Sequence, residues 1–530
     1  MRRWNGWGDD SFIYPLPEGA FTFLEQAVGP GVVTPDATLA DVLAQVPPSR
    51  LPAHPLIHTE AEARLRHARG HSLPDWIALK SGTIGVFPDG VAYPTTDEEV
   101  RELLRYARAA GVCLIPYGGG TSVVGQINPL PGDTPILTVD MSRMCRLRAF
   151  DAIGQLATFE AGVAGPDLEA HLRAHGCTLG HYPQSFEYST LGGWIAARSS
   201  GQQSLGYGRI EKLFAGGRIE TPLGTWHIPA NVPASAAGPD LRECVLGSEG
   251  RLGLITTATV RVSPLPEREE FHAFFFSTFA EGLDAVREIM QAKLPLAMLR
   301  LSTAAETATT LALAGHAVLI GGLEHYLALR GADTEKCMLI MGVAGRERIT
   351  KAAYQVARGI AGDHGSLYVG QTFGKTWHKN RFKSPYLRDA LWEAGYAIDT
   401  LETATDWAHV PALIEAIEDA LRPALLDQDE FVHVFTHLSH TYPYGSNVYT
   451  QYLFRRAPTP AETLERWQTL KTAASAAIVA QGATISHQHG VGVDHKPYLA
   501  AEKGEIGMTA LRALVKSFDP DGMMNPGKML

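Results

Sequence analysis

From about Pro74 onward, short apolar runs of strand length alternate with longer stretches of helical spacing. Val91-Ala92-Tyr93-Pro94 leads to Asp97-Glu98-Glu99-Val100, where Thr96 can cap a helix with an acidic first turn, and Gly111 closes that helix. Val112-Cys113-Leu114-Ile115-Pro116 then predicts a buried strand opening into the loop Tyr117-Gly118-Gly119-Gly120-Thr121-Ser122. Strand, helix, strand and glycine loop is an α/β order. Leu254 to Val262 predicts a further strand, and Pro264 and Pro266 break the chain behind it. Between about 267 and 480, helices are expected around Leu283 to Gln291, Ala412 to Leu421 and Ala461 to Val479, in a second, α+β domain. Towards the end of the run from His437 to Tyr452 the pattern alternates. Val448, Thr450 and Tyr452 then face one way, Tyr449 and Gln451 the other, and one face turns into a cavity. The proline-rich first 70 residues read as an arm with short helices. Thr310 to Leu323 is apolar but short and interrupted by His316, which predicts a core or tunnel-lining helix.

Composition then narrows the function classes. At 530 residues the chain is too long for one core, so two to four domains are expected. With 45% hydrophobic and 19% charged residues it reads as globular, and no run of about 18 apolar residues could span a bilayer. A net charge of −10 argues against nucleic acid as a partner. The five cysteines are scattered without a C-x-x-C pair, the pattern of reduced thiols. The opening Met1-Arg2-Arg3-Trp4-Asn5-Gly6-Trp7-Gly8 has no apolar run after its arginines, so no secretory signal is read and the cytoplasm is the expected compartment.

Glycines let backbone N–H groups converge on anionic oxygens, so the loop Gly118 to Ser122 could cradle a phosphate; alone, it could equally be a tight turn. Val123 stands where a G-x-G-x-x-G fingerprint needs glycine, and no G-K-[ST] follows. Glycine-dense loops recur, however, from Gly180 to Gly208 and in Gly247-Ser248-Glu249-Gly250-Arg251-Leu252-Gly253, and an extended dinucleotide needs several such approaches.

These three ordered segments, the second centred on Tyr182-Pro183-Gln184-Ser185-Phe186-Glu187-Tyr188-Ser189-Thr190-Leu191-Gly192-Gly193-Trp194, resemble the FAD-binding segments of the vanillyl-alcohol-oxidase flavoprotein superfamily. Arg2 to Gly8, Arg198-Ser199-Ser200-Gly201 and Ser486-His487-Gln488-His489-Gly490-Val491-Gly492 resemble, within it, the alkyldihydroxyacetonephosphate synthases, over essentially the whole chain. The resemblance implies an α+β fold: a two-subdomain FAD-binding domain and an α+β substrate (cap) domain. The expected divisions are an arm over 1–70, the FAD-binding domain over 71–265, the cap over 266–480 and a segment returning to the flavin over 481–530. Pro116, Tyr117, Gly118, Gly119, Gly120, Thr121 and Ser122 would wrap the pyrophosphate. Gln184, Ser185, Phe186, Glu187, Tyr188, Ser189, Thr190, Ala197, Arg198, Ser199 and Ser200 would flank the isoalloxazine. Glu249, Gly250, Arg251, Leu252, Gly253, Leu254 and Ile255 would complete the site. No histidine stands among Gly118, Gly119 and Gly120 to tether the flavin, so the FAD is expected to be non-covalent.

The candidate chemistry lies mostly in the second domain. Lys375, Lys379, Arg381, Lys383 and Arg388 form a dense cationic cluster that could be a solvated face; a guanidinium can hold a phosphate through two parallel hydrogen bonds, and the resemblance makes Arg388 the substrate-binding arginine. Arg300, flanked by apolar residues, reads equally as a structural ion pair or a catalytic group beside the flavin. Tyr449 could be a packed aromatic; the resemblance makes it a proton-transfer residue. His487 and His489, with Gln488 between them, occupy the place of a three-histidine motif. No cysteine or H-E-x-x-H completes a metal set, so proton shuttling is read and no metal is expected.

The implied activity is exchange of the acyl chain of acyl-dihydroxyacetone phosphate for a long-chain alcohol through a flavin N5 adduct, without net redox. Its partners would be a lipid substrate with a phosphate head group and the alcohol, with peripheral membrane contact and a homodimer both left open. The alternative is an FAD-dependent 2-hydroxyacid dehydrogenase of the D-lactate or glycolate type, although the stretch from His440 to Tyr449 lacks the Gly-Asp-Gly core of those enzymes. A third reading, a flavin- or lipid-binding module without catalysis, follows from Gln488.

Overall fold

The computed structural model describes residues 2–17, 19–313 and 317–530; Ala314, Gly315 and His316 of the apolar stretch expected as a core or tunnel-lining helix lie outside them. On either side of that gap run the helices Ala304–Ala312 and Ala317–Leu329.

Three sheets organise the chain. The first is small and mostly parallel: Gly90–Ala92, Ile136–Asp140 and Cys113–Tyr117 lie side by side, and Ile57–His58 adds an antiparallel edge. The arm expected over 1–70 is therefore not set apart from the sheets. Between the strands Gly90–Ala92 and Cys113–Tyr117 runs the helix Asp97–Ala110, where the Thr96 side chain accepts from the Glu99 amide and Gly111 turns off in the left-handed region at φ 65°. Its Val100, Leu103, Leu104 and Ala107 are buried against the sheet, each large side chain contributing about 1.5–3 kcal/mol of apolar burial. The strand therefore ends, and the glycine loop begins, at a fixed point.

The second sheet is five-stranded and antiparallel, with Leu254–Arg261 at its centre between Leu156–Glu160 and Phe214–Thr221. Burial alternates residue by residue along the central strand. The third is a seven-strand antiparallel path running Leu367–Gly370, Arg268–Phe276, Cys337–Gly345, Met298–Ser302, His433–Leu438, Gly445–Arg455 and Tyr396–Asp406, with Thr441–Tyr442 added as a short hairpin. The helices Phe279–Gln291, Glu347–Asp363, Val410–Leu421 and Pro460–Ala480 contribute to one large core with this sheet. Val448 and Tyr452 belong to that core, whereas Tyr449 and Gln451 turn to the opposite side, as the alternation predicts.

Both chain ends close over the junction between the sheets. Arg2 Nη2 donates to the Gly119 carbonyl at 2.6 Å, and the Trp7 amide to Asp389 at 3.0 Å. Buried Asp389 also meets Arg3 at 3.2 Å and Lys80 at 3.3 Å, so its charge is offset. At the other end, Asn525 Nδ2 donates to the carbonyls of Gln126 and Glu249 at 3.0 and 2.7 Å.

Candidate active site

A cavity of about 540 Å³ lies where the three sheets meet, lined from all of them and from the arm. Every residue from Pro116 to Ser122 reaches it. Among the described residues, none accepts a hydrogen bond from the amides of Gly118, Gly119, Gly120, Thr121 or Ser122, so five N–H groups of this cavity-lining loop have no protein partner. A Cβ at Gly119 would come within 1.8 Å of the Tyr188 carbonyl oxygen, and one at Gly120 (φ 69°) within 2.1 Å of the Tyr117 hydroxyl. Glycine is required, and the free donors suit the pyrophosphate of FAD. From the other two segments Gln184, Ser185, Ser189, Thr190, Ala197, Ser199, Glu249, Gly250, Gly253, Leu254 and Ile255 line the cavity.

The remaining expected cofactor residues stand behind that wall. Phe186 packs in the core and stacks on Phe382 at 4.9 Å; Glu187 accepts from the Tyr386 hydroxyl; Tyr188 lies under the Arg2 guanidinium. Arg198 is the left-handed cap of the helix Leu191–Ala197 and pairs with Glu243. Arg251 Nη1 donates to the Asn525 carbonyl at 2.8 Å, and Leu252 is core. Ser200 donates its amide to Gln488 Oε1 at 3.1 Å. These seven residues shape the loops and do not line the cavity.

Arg388 lines the cavity half-buried, its guanidinium over the Trp76 ring at 4.5 Å and its Nη1 donating to the His71 carbonyl at 2.7 Å. Its Nη2 is buried with no protein partner. Burial pulls its pKa down, against Asp399, Asp389 and Tyr449. Lys375, Lys379, Arg381 and Lys383 are not part of the wall.

Tyr449 lines the cavity between two cross-strand neighbours on its own face, Glu402 and His437. Its hydroxyl lies 3.4 Å from Gln184 Oε1, and burial raises its pKa, so the phenol stays protonated. Arg300, expected as catalytic, does not line the cavity. It sits one layer behind, bonded to Glu306 and 3.2 Å from His437 Nδ1, which makes it a structural ion pair. Burial would raise the Glu306 pKa, but Arg300 and His437 bring it down to about 2.

His489 and Gln488 line the cavity; His487 does not. His487 Nδ1 lies 2.9 Å from Glu402 Oε1, and its Nε2 lies 2.6 Å from the Tyr442 hydroxyl and 3.1 Å from Arg209 Nη1. Burial lowers the pKa of both histidines against the pull of Glu402, keeping the rings neutral near pH 7. Glu402 is itself fully buried; burial alone would raise its pKa, but above all the hydrogen bond from His487 holds it well below the usual carboxylate range. Ligand atoms of Glu402, His440 and His487 lie within 4.8 Å of one another, a spacing open to a cation, yet both nitrogens of His487 are engaged and the Arg209 guanidinium already stands beside it.

Part of the same cavity wall is apolar, formed by Leu16, Phe23, Leu24, Leu313, Ile398 and Leu453; Leu16, Leu24, Ile398 and Leu453 of these pack in one cluster. Thr310 and Leu313, from the stretch expected as a core or tunnel-lining helix, are part of the cavity wall, whereas Glu402 was not expected from the motifs. The one signal for Glu402 was an acidic residue inside the strand-like Ala397-Ile398-Asp399-Thr400-Leu401-Glu402-Thr403.

Residues 88–228 match the FAD binding domain family, and residues 265–529 the C-terminal domain of FAD linked oxidases. The alkyldihydroxyacetonephosphate synthase of Dictyostelium discoideum is 30% identical, over 100% of this chain and 93% of its own. A solved alkyldihydroxyacetonephosphate synthase superposes with a TM-score of 0.84 at 28% identity, covering 99% of this chain and 98% of that one. The mitochondrial D-lactate dehydrogenase [cytochrome] of Arabidopsis thaliana is more distant, 24% identical over 84% of this chain and 73% of its own.

Proposed function

Since the chain belongs to the alkyldihydroxyacetonephosphate synthase family, we propose that it exchanges the acyl chain of acyl-dihydroxyacetone phosphate for a long-chain alcohol, forming an ether without net oxidation. FAD is its cofactor, held by the free amides of Gly118 to Ser122, and supplies the isoalloxazine at which the exchange takes place. The more distant likeness to D-lactate dehydrogenase does not favour the hydroxyacid alternative.

The observation that carries this reading is one cavity lined both by an arginine with an unpartnered buried nitrogen and by a set of apolar side chains. Arg388 Nη2 takes the substrate phosphate, with Nη1 and the Trp76 ring fixing the fork. Tyr449, protonated and held beside Gln184, gives or takes a proton at its hydroxyl next to the reacting carbon. Neutral His489 accepts the proton of the incoming alcohol at a ring nitrogen, while the fatty acid leaves as carboxylate. The apolar wall of Leu16, Leu24 and Leu453 receives the chains and keeps water from the exchange.

Among the described residues, no helix is long and apolar enough to cross a membrane. Peripheral contact is proposed at the apolar wall, where exposed Phe21 shares the helix Ala20–Val28 with the cavity-lining residues Ala20, Phe23 and Leu24, and exposed Phe431 precedes His433. Flotation with vesicles of neutral phospholipid, weakened in Phe21→Asp, checks that part. The function is tested by incubating purified enzyme with acyl-dihydroxyacetone phosphate and labelled hexadecanol, with no electron acceptor. Labelled ether product supports it; bleaching of the flavin by D-lactate with no ether product overturns it.

A further inference from the structure

We propose that Glu402 is the positioning residue of this site: its buried carboxylate locks Gln488 and the neighbouring histidines onto the flavin-side turn and sets the proton affinity of His489. The inference rests on the exchange reading above for the use made of His489, and on geometry for the rest.

Glu402 sits on the strand Tyr396–Asp406, directly across from Tyr449. No lysine or arginine pairs with it among the described residues, and burying a carboxylate that way is costly unless several donors converge on it. They do: Oε1 accepts from Asn447 Nδ2 at 2.8 Å and lies 2.9 Å from His487 Nδ1, Oε2 accepts from Gln488 Nε2, and His489 Nε2 stands 3.7 Å away.

An ionised carboxylate only accepts, so each partner is forced into one state. His487 must carry its proton on Nδ1, which leaves Nε2 free to accept from Arg209 and the Tyr442 hydroxyl. Gln488 must turn its NH₂ to Glu402, so its carbonyl oxygen takes the Ser200 amide at 3.1 Å. Cap sheet and FAD-binding turn are thereby clipped together through one amide, on either side of the cavity residue His489. The charged and titratable groups facing His489 include Glu402, Lys471, His487, Asp399 and His495, with the Tyr449 ring 6.4 Å away; Glu402 is the one among them that raises its proton affinity most.

The test uses the holoenzyme, Glu402→Gln and the exchanged pair Glu402→Gln with Gln488→Glu. In the single variant an amide NH₂ replaces an acceptor and faces other donors. The double variant restores one carboxylate and one amide to the pair. Expected for Glu402→Gln is a kcat about 10–100-fold lower, with little change in the substrate KM, flavin content or Tm. The acid limb of the pH–rate profile should also fall by about one unit, because His489 loses its nearest negative charge. The His489 ring resonance, assigned by its disappearance in His489→Ala, should titrate lower by the same amount, a readout independent of turnover. The double variant should recover kcat to within about tenfold of wild type. A Glu402→Gln enzyme with wild-type kcat and an unmoved His489 titration overturns the proposal, and so does equal loss of flavin and Tm in both variants, the mark of a merely structural carboxylate. Should the wild-type enzyme make no ether, the exchange reading fails, and the ring titration still decides whether Glu402 governs His489.

Discussion

Tyr449 and His437 stack ring on ring, centroids 4.7 Å apart and 19° from parallel, and His437 Nδ1 lies 2.8 Å from Glu306. The ring of Tyr449 is therefore held by packing, while its hydroxyl lies 3.4 Å from Gln184 Oε1 and also meets the Thr400 side chain. Tyr449→Phe keeps the packing. Stability should fall by no more than about 1.5 kcal/mol, one hydrogen bond's net worth, while the exchange rate should fall by about 10² to 10⁴. Thermal melting beside steady-state kinetics checks both; a rate near wild type would make Tyr449 a packed aromatic only.

Arg388→Lys keeps a charge but loses the fork that spans the His71 carbonyl and the free Nη2 position, as well as the flat contact with Trp76. KM for the phosphorylated substrate should rise by about tenfold or more with flavin content unchanged. Unaltered saturation would move the phosphate away from this arginine.

Gly119→Val drives a side chain into the Tyr188 carbonyl and lies among the free amides, so the purified protein should come out colourless. In the wild type, acid precipitation should release the flavin into solution; flavin remaining on the polypeptide would contradict non-covalent binding.

The Arg300–Glu306–His437 group makes a prediction for stability rather than chemistry. Glu306 falls from its ordinary 4.5 to about 2 in the folded chain, so its pairing stabilises the protein above about pH 4.5 and is lost as the pH drops towards 2. Glu306→Gln should flatten that acid-side loss of stability. Arg300→Met should cost about 3–5 kcal/mol at neutral pH by leaving Glu306 buried with one partner fewer. Urea unfolding at several pH values measures both.

The place of the glycine loop on the cavity wall was legible because its pattern is local: a strand, a run of glycines and a turn suffice to bring unpartnered amides to one spot. The strand Gly445–Arg455 was legible from its alternation, which put Tyr449 on the cavity side and Tyr452 in the core. Glu402 was not, because its role arises from register: 47 positions of chain separate it from Tyr449, and only the pairing of two strands brings them face to face. Arg300 was ambiguous for the same reason, since its partners Glu306 and His437 come from a helix and a neighbouring strand. The apolar part of the cavity wall draws on the N-terminal helix, the cap helices and the sheet, so only Thr310 to Leu313 could be read from a single segment.

The origin of the ether oxygen distinguishes acyl-for-alkyl exchange from oxidation most directly. Hexadecanol carrying ¹⁸O, offered with acyl-dihydroxyacetone phosphate, should give an ether that retains the heavy oxygen and a free fatty acid that contains none, with flavin returning to its oxidised spectrum after each turnover. Heavy oxygen in the released fatty acid ester or acid, or turnover only in the presence of an added electron acceptor, would contradict it.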